Sequence, residues 1–570
     1  MNKERLLGRT SLSHAIHTIL AGGLLLISLP GGAYAESKES NSSHLVVTSS
    51  YYEVDPIISP ALNSTVAANP GLYTQLAGKT AGKTVNAIAD GKFPEVFNNN
   101  TIDGSFGVTT PIYVSLVNSH TGKTKKSFNL TDIAANQGDA LVTSFSSKSE
   151  LAINLSTDGK SLTFMGYDAT PALIDISNSN TPGVFDPTNP TNGSATAANG
   201  TGFIAKPTYR NVAQIDADGS LHVTQTNAYS GNNGRAAILD STTKTYFMVG
   251  NAGNSGTGPK NATLDTLSAD TGVESILAGS LNPTTSVVGI YTNTTTGNAK
   301  GDQYGFSITQ LINPATGLPY AADKTGKDDN FRGTTVFNNT LYVTKGSGGN
   351  GVNTVYQVGN GGDLDTLNNT SPITILKGLP TILATNLVSG TGLESNAGHY
   401  PFGIWFADAN TLYVADEGNG NLFDVNTPAN KYAGLEKWVF DGTTWNLAYT
   451  LQNGLDLGVN YTVSGTARDG SVGSYTTATG GLRNLTGRVN DDGAVEIFAT
   501  TSTVSTSGDQ GADPNKLVKI TDKLHATTLP DDESFRTLKT AEYGEVLRGV
   551  ALVNEEFKLA KERDRDGDNE

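Results

Sequence analysis

One pattern recurs along this chain and limits what it can fold into: an apolar strand, a tight polar turn, then a second apolar strand. It is clearest in PFGIWFADANTLYVADEGNG (401–420). It returns in ELAINLSTDGKSLTFMG (150–166), GRAAILDSTTKTYFMVG (234–250), FRGTTVFNNTLYVTKG (331–346) and LRNLTGRVNDDGAVEIFAT (482–500). TTSVVGIYTN (284–293) reads as a truncated copy, and LRGVALV (547–553) begins one more and stops. The turns carry Asp-Gly, Asn-Asn, Asp-Ala-Asn and Asp-Asp-Gly, residues suited to the backbone that short hairpin loops demand. A second apolar pair follows several copies, most plainly LEKWVFDGTTWNLAYTL (435–451), again closed by Asp-Gly. Two hairpins make a four-stranded antiparallel sheet, and units returning roughly every 45–85 residues form a propeller or a solenoid.

The unfinished copy decides between the two. LRGVALV supplies an innermost strand alone, and the other end of the chain supplies the rest. HLVVTSSY (44–51) reads as the second strand, PIYVSLVN (111–118) as the third and KSFNLTD (126–132) as the fourth. A blade shared by both chain ends closes a ring and leaves no open sheet edge. Copies starting near 150, 235, 286, 332, 402, 483 and 548 predict an all-β, seven-bladed β-propeller closed by its N- and C-terminal strands. Six or eight blades stay open, because the copy at 286 is weak. The propeller occupies 36–557 as a single domain. Its long connections (52–110, 167–205, 250–262, 417–433 and 501–515) join second to third strands. They leave on the same face as the links between blades, so one face is decorated and the other plain. Long loops on a rigid scaffold are where function is expected.

The chain opens with a basic MNKERLLGR, an apolar ILAGGLLLISL and a small-residue end at Ala33-Tyr34-Ala35. That order marks residues 1–35 as a signal peptide and predicts a secreted or periplasmic protein. No later stretch has the roughly 20 apolar residues of a membrane-spanning helix. Cysteine is absent, which removes disulfides, thiolate metal sites and cysteine nucleophiles. The net charge of −16 becomes −18 once three basic residues and one acid leave with the leader, and this disfavours nucleic acid as a partner. Residues 558–570 form a charged tail.

Within 401–420, Pro401, Gly403, Ile404, Asp408, the run Leu412-Tyr413-Val414-Ala415-Asp416, Gly418 and Asn419 together resemble the NHL-type propeller repeat. The other copies keep only the strand pattern. The mature chain as a whole resembles a group of uncharacterised exported bacterial propeller proteins, many of which end in a sorting anchor. This chain ends KLAKERDRDGDNE, without the apolar tail of such an anchor.

Familiar site motifs do not survive inspection. GSGGNG (346–351) is followed by the strand VNTVYQVG, where a dinucleotide site needs a helix. LAGKTAGKT (76–84) has Ala77 where a phosphate loop needs glycine, and no G-x-S-x-G occurs. His44, His120, His222, His399 and His525 lie far apart, with no metal-ligand spacing, so no metal site is assigned. Asp564, Asp566 and Asp568 open like a calcium loop, but the chain ends before the closing glutamate.

The arginines carry more. Ten follow the leader, and four share one repeat position just before the innermost strand: Arg235, Arg332, Arg483 and Arg548. That places a partial ring of guanidinium groups at the inner rim of the decorated face, suited to an anionic ligand. The plainer reading pairs each with an acidic or carbonyl group of the next blade. All three tryptophans, Trp405, Trp438 and Trp445, fall in one blade, as packing residues or, with Trp405 near the channel, as a surface for sugar stacking. The sequence thus predicts a monomeric binding or scaffold module for a small anionic ligand, a glycan or a protein, without a cofactor. The alternative is a hydrolase, lactonase or lyase with carboxylates around a divalent cation at the channel mouth.

Overall fold

A computed structural model of the chain describes residues 43–53, 93–94, 98–99, 103–172, 194–195, 203–204, 208–229, 232–252, 271–290, 316–318, 329–346, 351–381, 384, 398–420, 431–504, 511–554 and 557. Residues 1–35, expected to be a signal peptide, the glycine-rich stretch at 76–84, much of the long connections and the tail 558–570 lie outside the described residues.

Among the described residues, six antiparallel sheets follow one another round a ring, with inner strands touching in chain order. Both chain ends build the first blade. Glu545–Val553 is its inner strand, and His44–Tyr51, Ile112–Asn118 and Thr124–Asn129 complete it. His44 pairs with Val553, Leu45 with Leu552 and Ser49 with Leu547, the closure the sequence predicts. The second blade begins at Asn154–Leu155, the third at Gly234–Asp240, the fourth at Thr334–Phe337 and the fifth at Pro401–Asp408. The sixth uses the far half of the long strand Val472–Val489.

Six is the lower of the counts left open by the sequence. The weak copy at 286 is not an inner strand. Ser286–Val288 pairs with Gly272–Leu277 as the outer strand of the third blade.

Each junction between neighbouring blades has its own hydrophobic cluster, and this explains the strand pattern. Successive side chains point to opposite faces of a sheet, and in a ring of blades both faces are covered. Leu45 and Val47 face Phe498 and Leu517 of the sixth blade. Val46, between them, faces Ile153 and Phe164 of the second. In the fifth blade Leu412 and Val414 face the fourth, while Tyr413 and Ala415 face the sixth. Each such fully buried large side chain contributes about 1.5–3 kcal/mol. The turns use the expected residues: Gly159 (φ 70°), Asn338 (47°), Asn339 (54°) and Gly493 (80°) all take the left-handed backbone.

Two additions to the repeat escape the sequence reading. A helix, Leu130–Gln137, links the first two blades; the Asn129 side chain caps it, and Gly138 ends it in the left-handed region. The near half of Val472–Val489 pairs with Asn460–Thr466 in an extra hairpin. Its residues Val463, Ala467 and Tyr475 pack with Tyr52, Phe93, Phe145 and Tyr543. Arg468, at its tip, lies over the rings of Tyr51 (3.7 Å) and Tyr113 (4.0 Å) and pairs with Glu53 at 3.4 Å. Among the described residues no helix is long and apolar enough to cross a membrane.

Candidate functional site

Two of the four arginines at the shared repeat position, Arg332 and Arg548, meet on one segment of the chain itself, and a third, Arg483, reaches it through Glu417. The segment Phe145–Ser149, which leads into the second blade, meets residues of the first, third, fourth, fifth and sixth. Arg548 donates to the Phe145 carbonyl, and Arg332 of the fourth blade donates to Ser149 Oγ. Asn233, at the start of the third blade, donates to Ser147 Oγ at 2.9 Å. Lys148 Nζ meets Glu417 Oε1 of the fifth blade at 3.2 Å, and Arg483 Nε meets the other oxygen of that carboxylate, also at 3.2 Å. Gly511 of the sixth blade packs so closely that a methyl group there would lie 2.4 Å from Lys148 N and from Ser146 O.

Arg235 turns to the fourth blade and donates to Asn330 and to the Phe331 carbonyl at 2.6 Å. Arg235, Arg332, Arg483 and Arg548 are 3, 7, 4 and 3 % exposed. The four guanidinium groups are therefore buried against the chain and do not form an accessible ring; Arg235, at a carbonyl of the next blade, and Arg483, at the Glu417 carboxylate, follow the plainer reading, while Arg332 and Arg548 meet the segment 145–149.

Glu150 anchors this plug. Its carboxylate accepts from Thr143 Oγ1 (2.6 Å), Ser144 N (2.9 Å) and Tyr167 OH (2.5 Å). Burial pushes its carboxyl above the usual range even against those hydrogen bonds.

The channel is open at the opposite end. A cavity of about 730 Å³ is lined by the inner strands of all six blades and by the first-to-second-strand turns of the second, third and fourth. The decorated face was the one expected to hold a site, yet this cavity belongs to the plain one. Its polar lining follows from turn chemistry. Asp158, Asp240, Ser241, Asn338 and Asn339 stand there because tight hairpins need such residues.

Neither carboxylate is idle. Asp240 accepts from Thr242 N (3.0 Å) and Thr243 Oγ1 (2.5 Å). Burial acts to raise the Asp158 pKa, but hydrogen bonds from Ser156 and Ser241 outweigh it and hold the carboxylate below its usual range. Among the described residues, no Lys, Arg or His lines the cavity. Trp405 does, half-buried, with its ring over Tyr413 (centroids 6.0 Å apart, 26°) and its far edge in the space left by Gly487. Trp438 and Trp445 are instead buried at the junction with the fourth blade.

A third cluster was not legible as a site. His399, Asp416 and Glu436 are all buried, with ligand-capable atoms within 4.8 Å of one another. His399 precedes the inner strand of the fifth blade, Asp416 ends Thr411–Asp416 and Glu436 lies in Gly434–Phe440. Burial, then the Glu436 charge, pushes the Asp416 carboxyl up to about 7. Spacing between histidines could not reveal this cluster, since only one contributes. The available signal was Glu436-Lys437 inside the apolar strand LEKWVF, two charges aimed at opposite blade junctions.

No protein-family model matches the sequence, and no curated protein does either. Among solved structures the chain is similar to RS223 β-xylosidase, at 8 % identity over 70 % of this chain and 95 % of that one, with a TM-score of 0.26. It is also similar to the β-propeller domain of the Trilobed protease from Pyrococcus furiosus, described as having an open velcro topology (8 % identity, 76 % and 88 % of the two chains, TM-score 0.24). A Pyrococcus horikoshii acylaminoacyl peptidase is similar at 8 % identity over 79 % of this chain and 50 % of that one, with a TM-score of 0.25. The propeller rests on the strand pairing described above and not on likeness of this degree.

Proposed function

We propose that this protein is a binding module whose site is the open end of the central channel, and that its ligand is a neutral, hydroxyl-rich molecule of the glycan class. The observation that carries this reading is the cavity of about 730 Å³, within the size range of ligand pockets, lined by turn amides, hydroxyls and carboxylates beside one indole. Two carboxylates and no cation in the lining disfavour an anionic ligand. Hydroxyl groups suit acceptors such as Asp158 and amides such as Asn338, and an aromatic face suits the apolar side of a sugar ring.

The basic, apolar and small-residue order of residues 1–35 supports a secreted or periplasmic protein, and the NHL-like stretch supports its reading as a propeller. The alternative, a metal-dependent hydrolase, lactonase or lyase at this mouth, gains no observation. The cavity offers two carboxylates already engaged in turn hydrogen bonds, and no histidine.

Titration calorimetry with matched neutral and anionic oligosaccharides tests the reading. Neutral ligands should bind, Trp405→Ala should weaken binding about tenfold and Trp405→Phe should largely restore it. Preference for the anionic set, or binding indifferent to Trp405, would sink the proposal.

A further inference from the structure

The cluster in the fifth blade poses a question of hydrogen bookkeeping. His399 Nδ1 lies 3.2 Å from the carbonyl oxygen of Asn353. A carbonyl only accepts, so Nδ1 carries the hydrogen. That leaves Nε2 of a neutral imidazole with a lone pair, 3.0 Å from Glu436 Oε1 and 3.2 Å from Oε2. Apart from that nitrogen, Oε1 has no hydrogen-bonding neighbour, and it is fully buried. Acceptors do not rest against one another without a cation between them, either a proton on Nε2 or a metal ion.

The surroundings favour the metal. A metal-binding imidazole typically donates its other N–H to a carbonyl or carboxylate, as His399 does. The carboxylates are likewise held from outside. Trp438 Nε1 donates to Glu436 Oε2 at 2.6 Å, Gly418 N to Asp416 Oδ1 at 2.8 Å and Tyr400 N to Asp416 Oδ2 at 2.5 Å. With a neutral imidazole and both carboxylates ionised the trio would carry two negative charges in a fully buried place, the deficit a divalent ion removes.

We propose that His399 Nε2, Asp416 and Glu436 form a buried structural site for a divalent first-row transition ion of the zinc class. One imidazole with two carboxylates and no sulfur suits such an ion better than calcium or magnesium, which take oxygen alone. None of the three lines the channel cavity, so the ion ties strands rather than meeting ligand. It joins the inner three strands of the fifth blade, and through the Asn353 carbonyl it is braced by the fourth.

The test uses tag-free mature protein from cells supplied with zinc, dialysed exhaustively, with metal measured by mass spectrometry. About one zinc per chain is expected, falling below about a tenth in Glu436→Gln and Asp416→Asn. X-ray absorption of the wild type should show only N and O neighbours near 2.0–2.1 Å, with imidazole scattering. This readout decides even if the variants do not fold. Metal-free wild type, a melting temperature indifferent to zinc and chelator, or zinc without an imidazole neighbour would overturn the site and leave a protonated His399 as the cation. Selective uptake of calcium in place of zinc would overturn the assigned ion class.

Discussion

Lys437 and Asp522 meet at 2.9 Å with neither side chain exposed, at the junction of the fifth and sixth blades. A buried pair survives only when its remaining hydrogen-bonding capacity is met. Tyr449 OH donates to Asp522 at 2.7 Å, Tyr413 OH donates to the other carboxylate oxygen, and Lys437 also reaches the Lys523 carbonyl at 2.6 Å. Glu533 stands beside this group, and burial together with the Asp522 carboxylate pushes its pKa from 4.5 up to about 8. The folded chain therefore holds a proton that the unfolded chain releases near 4.5. The stability this contributes is complete below about pH 4.5 and is lost as the pH rises through about 8. Glu533→Gln mimics the protonated form, so its unfolding free energy from urea titrations should fall less between about pH 5 and pH 8 than that of the wild type. An unchanged slope would assign the pH dependence elsewhere. At this scale the sequence placed four arginines at one repeat position and left their partners open between an anionic ligand and the neighbouring blade, because repeat position sets where a side chain starts and not what fills the space it enters.

The segment Phe145–Ser149 is the element that most changes the functional reading. Its contacts come from far along the chain: Arg548 lies 403 positions from Phe145, and Glu417 lies 269 from Lys148. Gly511 allows its close passage. Gly511→Ala forces backbone atoms apart and should cost about 2–3 kcal/mol. Trypsin should then cleave after Lys148 faster than in the wild type, since the plug is displaced. Equal cleavage and an unchanged urea midpoint would mean the segment is not held there. The extra hairpin before the sixth blade belongs to the same account. Its near strand continues directly into the inner strand, so a repeat-based reading started the blade at 482 and assigned nothing to the strand that precedes it.

The whole ring depends on one seam. Val546, Leu547, Val550 and Val553 are buried in the last strand. At about 1.5 kcal/mol or more each, they contribute at least about 6 kcal/mol, comparable to the full stability of many domains. Removing 546–570 deletes that strand and opens two sheet edges. Calorimetry should show a melting transition lost or lowered by well over 10 °C, taking roughly 2–4 °C per kcal/mol for a larger domain. A truncated chain that melts like the intact one would show that the seam does not hold the ring.

What the sequence determined by itself is local or repeated. Strand alternation, Asp-Gly and Asn-Asn turns and the orphan LRGVALV announce a closed propeller, because side-chain period and turn chemistry act within a few residues. The tertiary structure alone decided the rest. Ser286–Val288 looks like an inner strand until its pairing with Gly272–Leu277 makes it an outer one, since apolar alternation is common to both places. Which end of the channel stays open, and that His399 meets Glu436, depend on strands brought together by ring closure and blade packing, where the neighbours of a side chain are remote in the chain.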